Sequence, residues 1–156
     1  MKEEKIMKTE NTKEQYILYI LIRNDMPSLN AGKAMAQASH ASNAFIKKHG
    51  KTTEAKEWAD STNQGFGTVI VLSATRCDLE TVVSEVTMSD LVVDPTYPYI
   101  VSSEIAGLIN ESKHTVDPII KNDGNVVLHR EEVTCAYVFG DKENLKHVLG
   151  HLKLHP

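Results

Sequence analysis

Apolar and polar positions alternate along the chain in blocks, and the period of the alternation changes from block to block. Tyr16 to Ile22 is an unbroken apolar run, far shorter than the ~20 residues that cross a membrane. It leaves no face for water, so it reads as a central strand buried on both sides. From Ala31 to Lys48 the apolar positions Ala34, Ala38, Ala41 and Phe45 recur at helical spacing, and Gly50 stands where a left-handed cap favours glycine. A second helix covers Thr53 to Ser61, opened by Thr52 or Thr53 and carrying Trp58. Gly65-Phe66-Gly67 then turns the chain into a strand from Thr68 to Ser73. Leu79, Val82, Val83 and Val86 predict a helix over Asp78 to Met88. Tyr97 to Val101 reads as a short strand bounded by Pro95 and Pro98. The strand Val133 to Phe139 and a helix over Lys142 to Leu149 close the pattern.

Strands separated by helices predict an α/β domain of three layers, with a mixed four-stranded β-sheet between α-helices. Residues 1–14 mix charges without periodicity and read as a flexible tail, which leaves residues 15–156 as the domain. Within about 110–131, Ile119-Ile120 and Val126-Val127-Leu128 flank Lys121-Asn122-Asp123-Gly124-Asn125. Asp-Gly between apolar runs is a hairpin signal, so this segment reads as an inserted β-hairpin.

Charge narrows the possible partners. The 156 residues carry 17 basic and 21 acidic side chains, a formal charge of -4, which argues against a protein that coats a nucleic-acid backbone. Local contact with RNA stays open, because Lys47, Lys48, Lys51 and Lys56 form a basic patch. Cys77 and Cys135 are far apart and form no Cys-x-x-Cys arrangement, so reduced thiols are expected rather than a disulfide framework or a zinc ribbon. With no hydrophobic leader pattern and no membrane-length run, the expected location is the cytoplasm, away from the membrane.

The chemistry concentrates where the first strand hands over to the first helix. At about 100° per residue, Lys33, Gln37, His40 and Ala44 share one face, close to the partial positive charge and unpaired N–H groups of a helix N-terminus. An anionic or oxyanion-bearing ligand suits that constellation. Asn30-Ala31-Gly32-Lys33-Ala34 has the position of a phosphate loop but lacks its first glycine and the hydroxyl residue after the lysine. His147, His151 and His155 recur every four residues, but Gly150 interrupts any shared helix, so no metal or other cofactor is expected.

Arg23-Asn24-Asp25, Gly32-Lys33 and Ala36-Gln37-Ala38-Ser39-His40-Ala41 resemble the signature of the type 2 peptidyl-tRNA hydrolase family. Thr134 to Gly140 is similar to that family's last core strand, and Leu149-Gly150-His151-Leu152-Lys153-Leu154 to its closing run. The resemblance implies a hydrolase that frees tRNA from its peptidyl ester, acting as a homodimer without cofactor. It implies Lys33 and Gln37 in the site with Thr134 nearby, and peptidyl-tRNA or the tRNA acceptor end as ligand, for which Asn24 and His40 of the matching motifs are candidate contacts; Lys47 and Lys48 of the basic patch are candidates for its phosphates. The family's Asp-Ala-Gly-x-Thr carboxylate is not found at Ser102-Ser103-Glu104-Ile105-Ala106-Gly107, where Ile105 stands in its place. Glu104 is the expected substitute. The alternatives are a binding module for tRNA or a protein partner that has lost the carboxylate, and a hydrolase of another acyl substrate with the hairpin reshaping its pocket.

Overall fold

The computed structural model describes residues 15–108 and 116–156, so the expected tail over 1–14 and the start of the 110–131 segment lie outside the described residues. Along the chain it has β1 (Tyr16–Arg23), α1 (Ala31–His49), α2 (Thr53–Asp60), β2 (Val69–Ala74), α3 (Arg76–Glu85), β3 (Ser89–Val101), α4 (Ser103–Leu108), β4 (Val116–Ile120), β5 (Val126–Asp141), α5 (Lys142–Leu149) and β6 (Lys153–Leu154). The strands form one mixed sheet in the order β3-β5-β1-β2-β6, with β4 also paired to β5.

β1 is central, flanked by parallel β2 and antiparallel β5, and Ile17 to Ile22 are all buried. Its side chains alternate between two cores, as a two-sided strand must. Leu18, Ile20 and Ile22 join Phe45 of α1, Trp58 of α2 and Tyr137 and Phe139 of β5. Ile17, Tyr19 and Leu21 join Leu79 and Val82 of α3 and Leu145, Val148 and Leu149 of α5. Helices on both faces give the three layers.

Among the described residues the sheet has six strands, not four. The two-residue β6 is added because Leu154 and Lys153 pair with Leu72 and Ser73 of β2, a contact too short to leave a pattern in the sequence. β3 starts at Ser89 and not Tyr97, and α3 ends at Glu85. Val86 is already extended, and Phe139 donates its N–H to the Met88 carbonyl, which draws the chain into the sheet. α3 also starts earlier than expected, since Thr75 and Asp78 form a reciprocal capping box. Gly50 caps α1 in the right-handed region, not the left-handed one. Its need for glycine is steric, because a Cβ there would lie 2.5 Å from the Ile46 carbonyl oxygen.

Beyond the end of β1, β3 and β5 continue as a ribbon with β4 on the other edge of β5. β4 and β5 join through a turn in which Gly124 has φ of 81°, the left-handed conformation that favours glycine. Two irregularities mark the β3–β5 pairing just where the ribbon leaves the core. Val92 faces Cys135 while Val93 faces Val133, so Thr134 is an extra residue in β5; Asp94 faces Glu132 while Tyr97 faces Arg130, so β3 carries an extra residue around Pro95-Thr96.

Candidate functional site

A bulge re-aims the side chain at its extra residue. Here it turns Thr134 towards α1, so that Thr134 and its neighbour Cys135 both bond to Gln37, which adjacent residues of a regular strand would not do. Thr134 Oγ1 donates to Gln37 Oε1 at 2.7 Å, and the Cys135 thiol donates to the Gln37 carbonyl at 3.4 Å. Burial pushes that thiol up to about 12, which keeps it a neutral donor and not a nucleophile.

The other end of the Gln37 amide holds a carboxylate. Gln37 Nε2 donates to Asp94 Oδ2 at 2.7 Å, and Thr96 N–H donates to Asp94 Oδ1 at 2.9 Å, the short-range turn that an aspartate makes with the residue two positions on. A carboxylate only accepts, so the amide must present nitrogen to Asp94 and oxygen to Thr134. Both bulges are therefore used: one delivers the hydroxyl, the other the carboxylate, and a buried glutamine joins them. Lys33 stands one turn before Gln37, its ammonium 5.1 Å from the centre of the Tyr97 ring. Asn30 caps the helix, its side chain accepting from Lys33 N–H at 3.0 Å.

The expected face of α1 divides. Gln37 is only 4% exposed and belongs to the buried stripe with Ala34, Ala41 and Phe45, whereas His40 is exposed and leaves it. Gln37 and Thr134 are both closed off from water, so they hold the site from behind and do not line it. Asn24 is exposed on the turn after β1, its N–H bonded to the Ala74 carbonyl at the same strand ends. Lys47 and Lys48 end α1, ~15 Å from Gln37 along the helix axis. Lys48 pairs there with Asp90 at 2.9 Å.

Glu104 is not the partner of this cluster. It is exposed on α4, separated from Asp94 by the rest of β3, roughly 20 Å of extended chain. The carboxylate bonded to Gln37 is Asp94, hard to single out in the sequence because Leu91-Val92-Val93 is short and no Ala-Gly follows the aspartate. The signal was there as an apolar run ending in Asp94-Pro95, a proline placed where sheets tolerate it, at a bulge.

A second polar cluster locks the ribbon onto β1. Arg23, its side chain 11% exposed, donates to Glu132 at 2.9 Å and to the Val133 carbonyl at 3.0 Å, and pairs with Asp25 at 2.7 Å. Glu132 is also reached by Arg76, by Arg130 and by the Tyr99 hydroxyl. Desolvation would raise the Glu132 carboxyl, but the Tyr99 hydrogen bond with the arginine charges outweighs it and holds the group below its ordinary value. Burial and the same glutamate push Tyr99 up to about 12. Arg76, Arg130, Glu131 and Glu132 border an open cavity of about 420 Å³, floored by Val93 and Val133.

The fold is α/β, and a lysine at a helix start and a carboxylate fixed by a buried amide lie at the C-terminal ends of parallel β1 and β2, where open α/β sheets commonly bind ligands. The family model described as peptidyl-tRNA hydrolase PTH2 matches residues 16–95, just over half of the chain, and the chain belongs to that family. The matched segment contains Lys33, Gln37 and Asp94 but neither Glu104 nor Thr134. No curated protein sequence matches the chain. Among solved structures, a protein of unknown function from Agrobacterium tumefaciens is similar at 8% identity over 91% of this chain and 98% of its own, with a TM-score of 0.45, too remote to bear on the site.

Proposed function

We propose that the protein hydrolyses the ester between a peptide and the terminal ribose of tRNA, returning free tRNA to translation in the cytoplasm. The observation that carries this reading is Asp94, held on both oxygens beside α1 with Lys33 on the same helix. Ester hydrolysis needs a base for the attacking water, charge stabilisation for the tetrahedral oxyanion, and a proton for the leaving ribose oxygen. Asp94 takes a proton from water as its oxygen attacks the carbonyl carbon. The Lys33 ammonium faces the oxyanion, and collapse of the intermediate breaks the C–O bond, the proton on Asp94 passing to the ribose hydroxyl. Gln37 and Thr134 hold the base in place from behind, and their burial suits that task.

Asp94 supplies the acid whose absence motivated the binding-module alternative, so hydrolysis is the better-supported reading. Asn24 and His40, exposed near the start of α1, are proposed contacts to the acceptor end. Lys47 and Lys48 are proposed only for phosphates further along the RNA. The homodimer implied by the family resemblance is part of the same reading, and sedimentation of the purified protein at twice the chain mass would support it. The direct test is incubation with a labelled N-blocked aminoacyl-tRNA. Multiple-turnover release of free tRNA and N-blocked amino acid is expected, and an intact ester at high protein concentration would overturn the proposal.

A further inference from the structure

We infer that Tyr97 is a positioning residue for Lys33, holding the ammonium by its ring face so that its charge and the N–H donors turned away from the ring stay available to the substrate's anionic oxygen. The inference rests on the hydrolase reading and deepens it. Tyr97 is 1% exposed, yet its ring lies 5.1 Å from the Lys33 ammonium. The ring is fixed on two sides, by a hydrogen bond of 3.0 Å between its hydroxyl and Ser28 Oγ in the β1–α1 loop, and by Tyr99 packed edge-on at 5.1 Å. It arrives there through the β3 bulge that also sets Asp94, so one irregularity orients the base and the support of the cation together.

The alternative way to hold a lysine is a carboxylate, and among the described residues none forms an ion pair with Lys33. A carboxylate would take up donors and neutralise the charge. An aromatic face attracts the cation through its quadrupole and accepts no conventional hydrogen bond from it. Lys33 is thus restrained without being discharged, which is what stabilisation of a developing oxyanion requires.

The test is a double-mutant cycle on N-blocked aminoacyl-tRNA with the full chain, using Tyr97→Leu, Lys33→Ala and the pair. Tyr97→Leu is expected to lower kcat/KM roughly tenfold, mainly in kcat, and Tyr97→Phe to recover most of that loss. In the Lys33→Ala background Tyr97→Leu should change the rate less than about twofold, because the group it positions is gone. The same factor in both backgrounds would overturn the inference. Should Tyr97→Leu fail to fold, a ring-fluorinated phenylalanine at position 97 keeps the size and weakens the ring face. A rate equal to that of Tyr97→Phe would then overturn the inference, and a lower one would support it. If the parent chain cleaves no ester, the hydrolase reading fails instead, and the cycle is read in tRNA affinity at low salt. Coupling there upholds the role of Tyr97, and additivity rejects it.

Discussion

Gln37 is the residue on which the site turns, because its two amide ends are committed to different strands. Thr134 supplies the donor for Oε1 at 2.7 Å with no exposure to water. Thr134→Val keeps the shape but leaves that oxygen buried and unpaired, at a cost of about 1–3 kcal/mol. Thermal unfolding should show the loss together with slower hydrolysis; unchanged stability would mean that the amide finds another donor. Glu132 gives a pH-dependent counterpart. Its carboxyl lies below the ordinary value of 4.5, so its contribution to stability is complete above that value and is lost as pH falls through the lowered one. Glu132→Gln should be less stable at neutral pH and lose less on acidification from about pH 5 to about pH 3. Parallel stability curves for parent and variant would contradict the ion cluster. Lys33 and Gln37 were legible in the sequence because they sit one turn apart on a single helix, where spacing alone relates them. Thr134 was legible only through the family resemblance and Asp94 not at all, since each meets Gln37 through a cross-strand register that no local pattern records. Glu104 stands two residues before Ala106-Gly107, a likeness of letters that the fold places at the far end of β3.

Among the elements, the strands and helices that bury two full faces were readable and the short or irregular ones were not. β1 announced itself because an uninterrupted apolar run has no wet face. The early half of β3 was missed because Asp94-Pro95 looks like a break, whereas in the sheet it is a bulge that continues the ribbon on the far side. The link between α2 and β2 was read as a turn, but its glycine has a sharper reason. A Cβ at Gly67 would lie 2.3 Å from the Trp58 carbonyl oxygen and 2.4 Å from the Trp58 ring. That ring donates to the Thr68 carbonyl at 2.9 Å and is packed against Phe45. Gly67→Ala should therefore push Trp58 out of its core, costing about 1–3 kcal/mol or more, with a red-shifted tryptophan emission. Parent-like stability and emission would show that the α2–β2 link yields more easily than its geometry says.

At the scale of the whole molecule, the fold separates a core that carries stability from an edge where the proposed site lies. β1, β2 and the C-terminal half of β5 sit between two helical layers, while the ribbon of β3, β4 and β5 projects past β1 and brings its bulges to α1. A formal charge of -4 fits the proposed function, which asks for a brief encounter with RNA at one site and release of the product, not for holding a long stretch of backbone. The account stands on Asp94 as the base, and Asp94→Asn tests it most directly, because the amide keeps one oxygen for Gln37, gives up the acceptor for Thr96 N–H, and removes the charge. Release of N-blocked amino acid from labelled N-blocked aminoacyl-tRNA should fall at least about a hundredfold in kcat, with tRNA affinity close to the parent's and stability lowered by no more than about 1–3 kcal/mol for the lost Thr96 contact. Turnover within a few-fold of the parent would contradict the assignment of Asp94 as base.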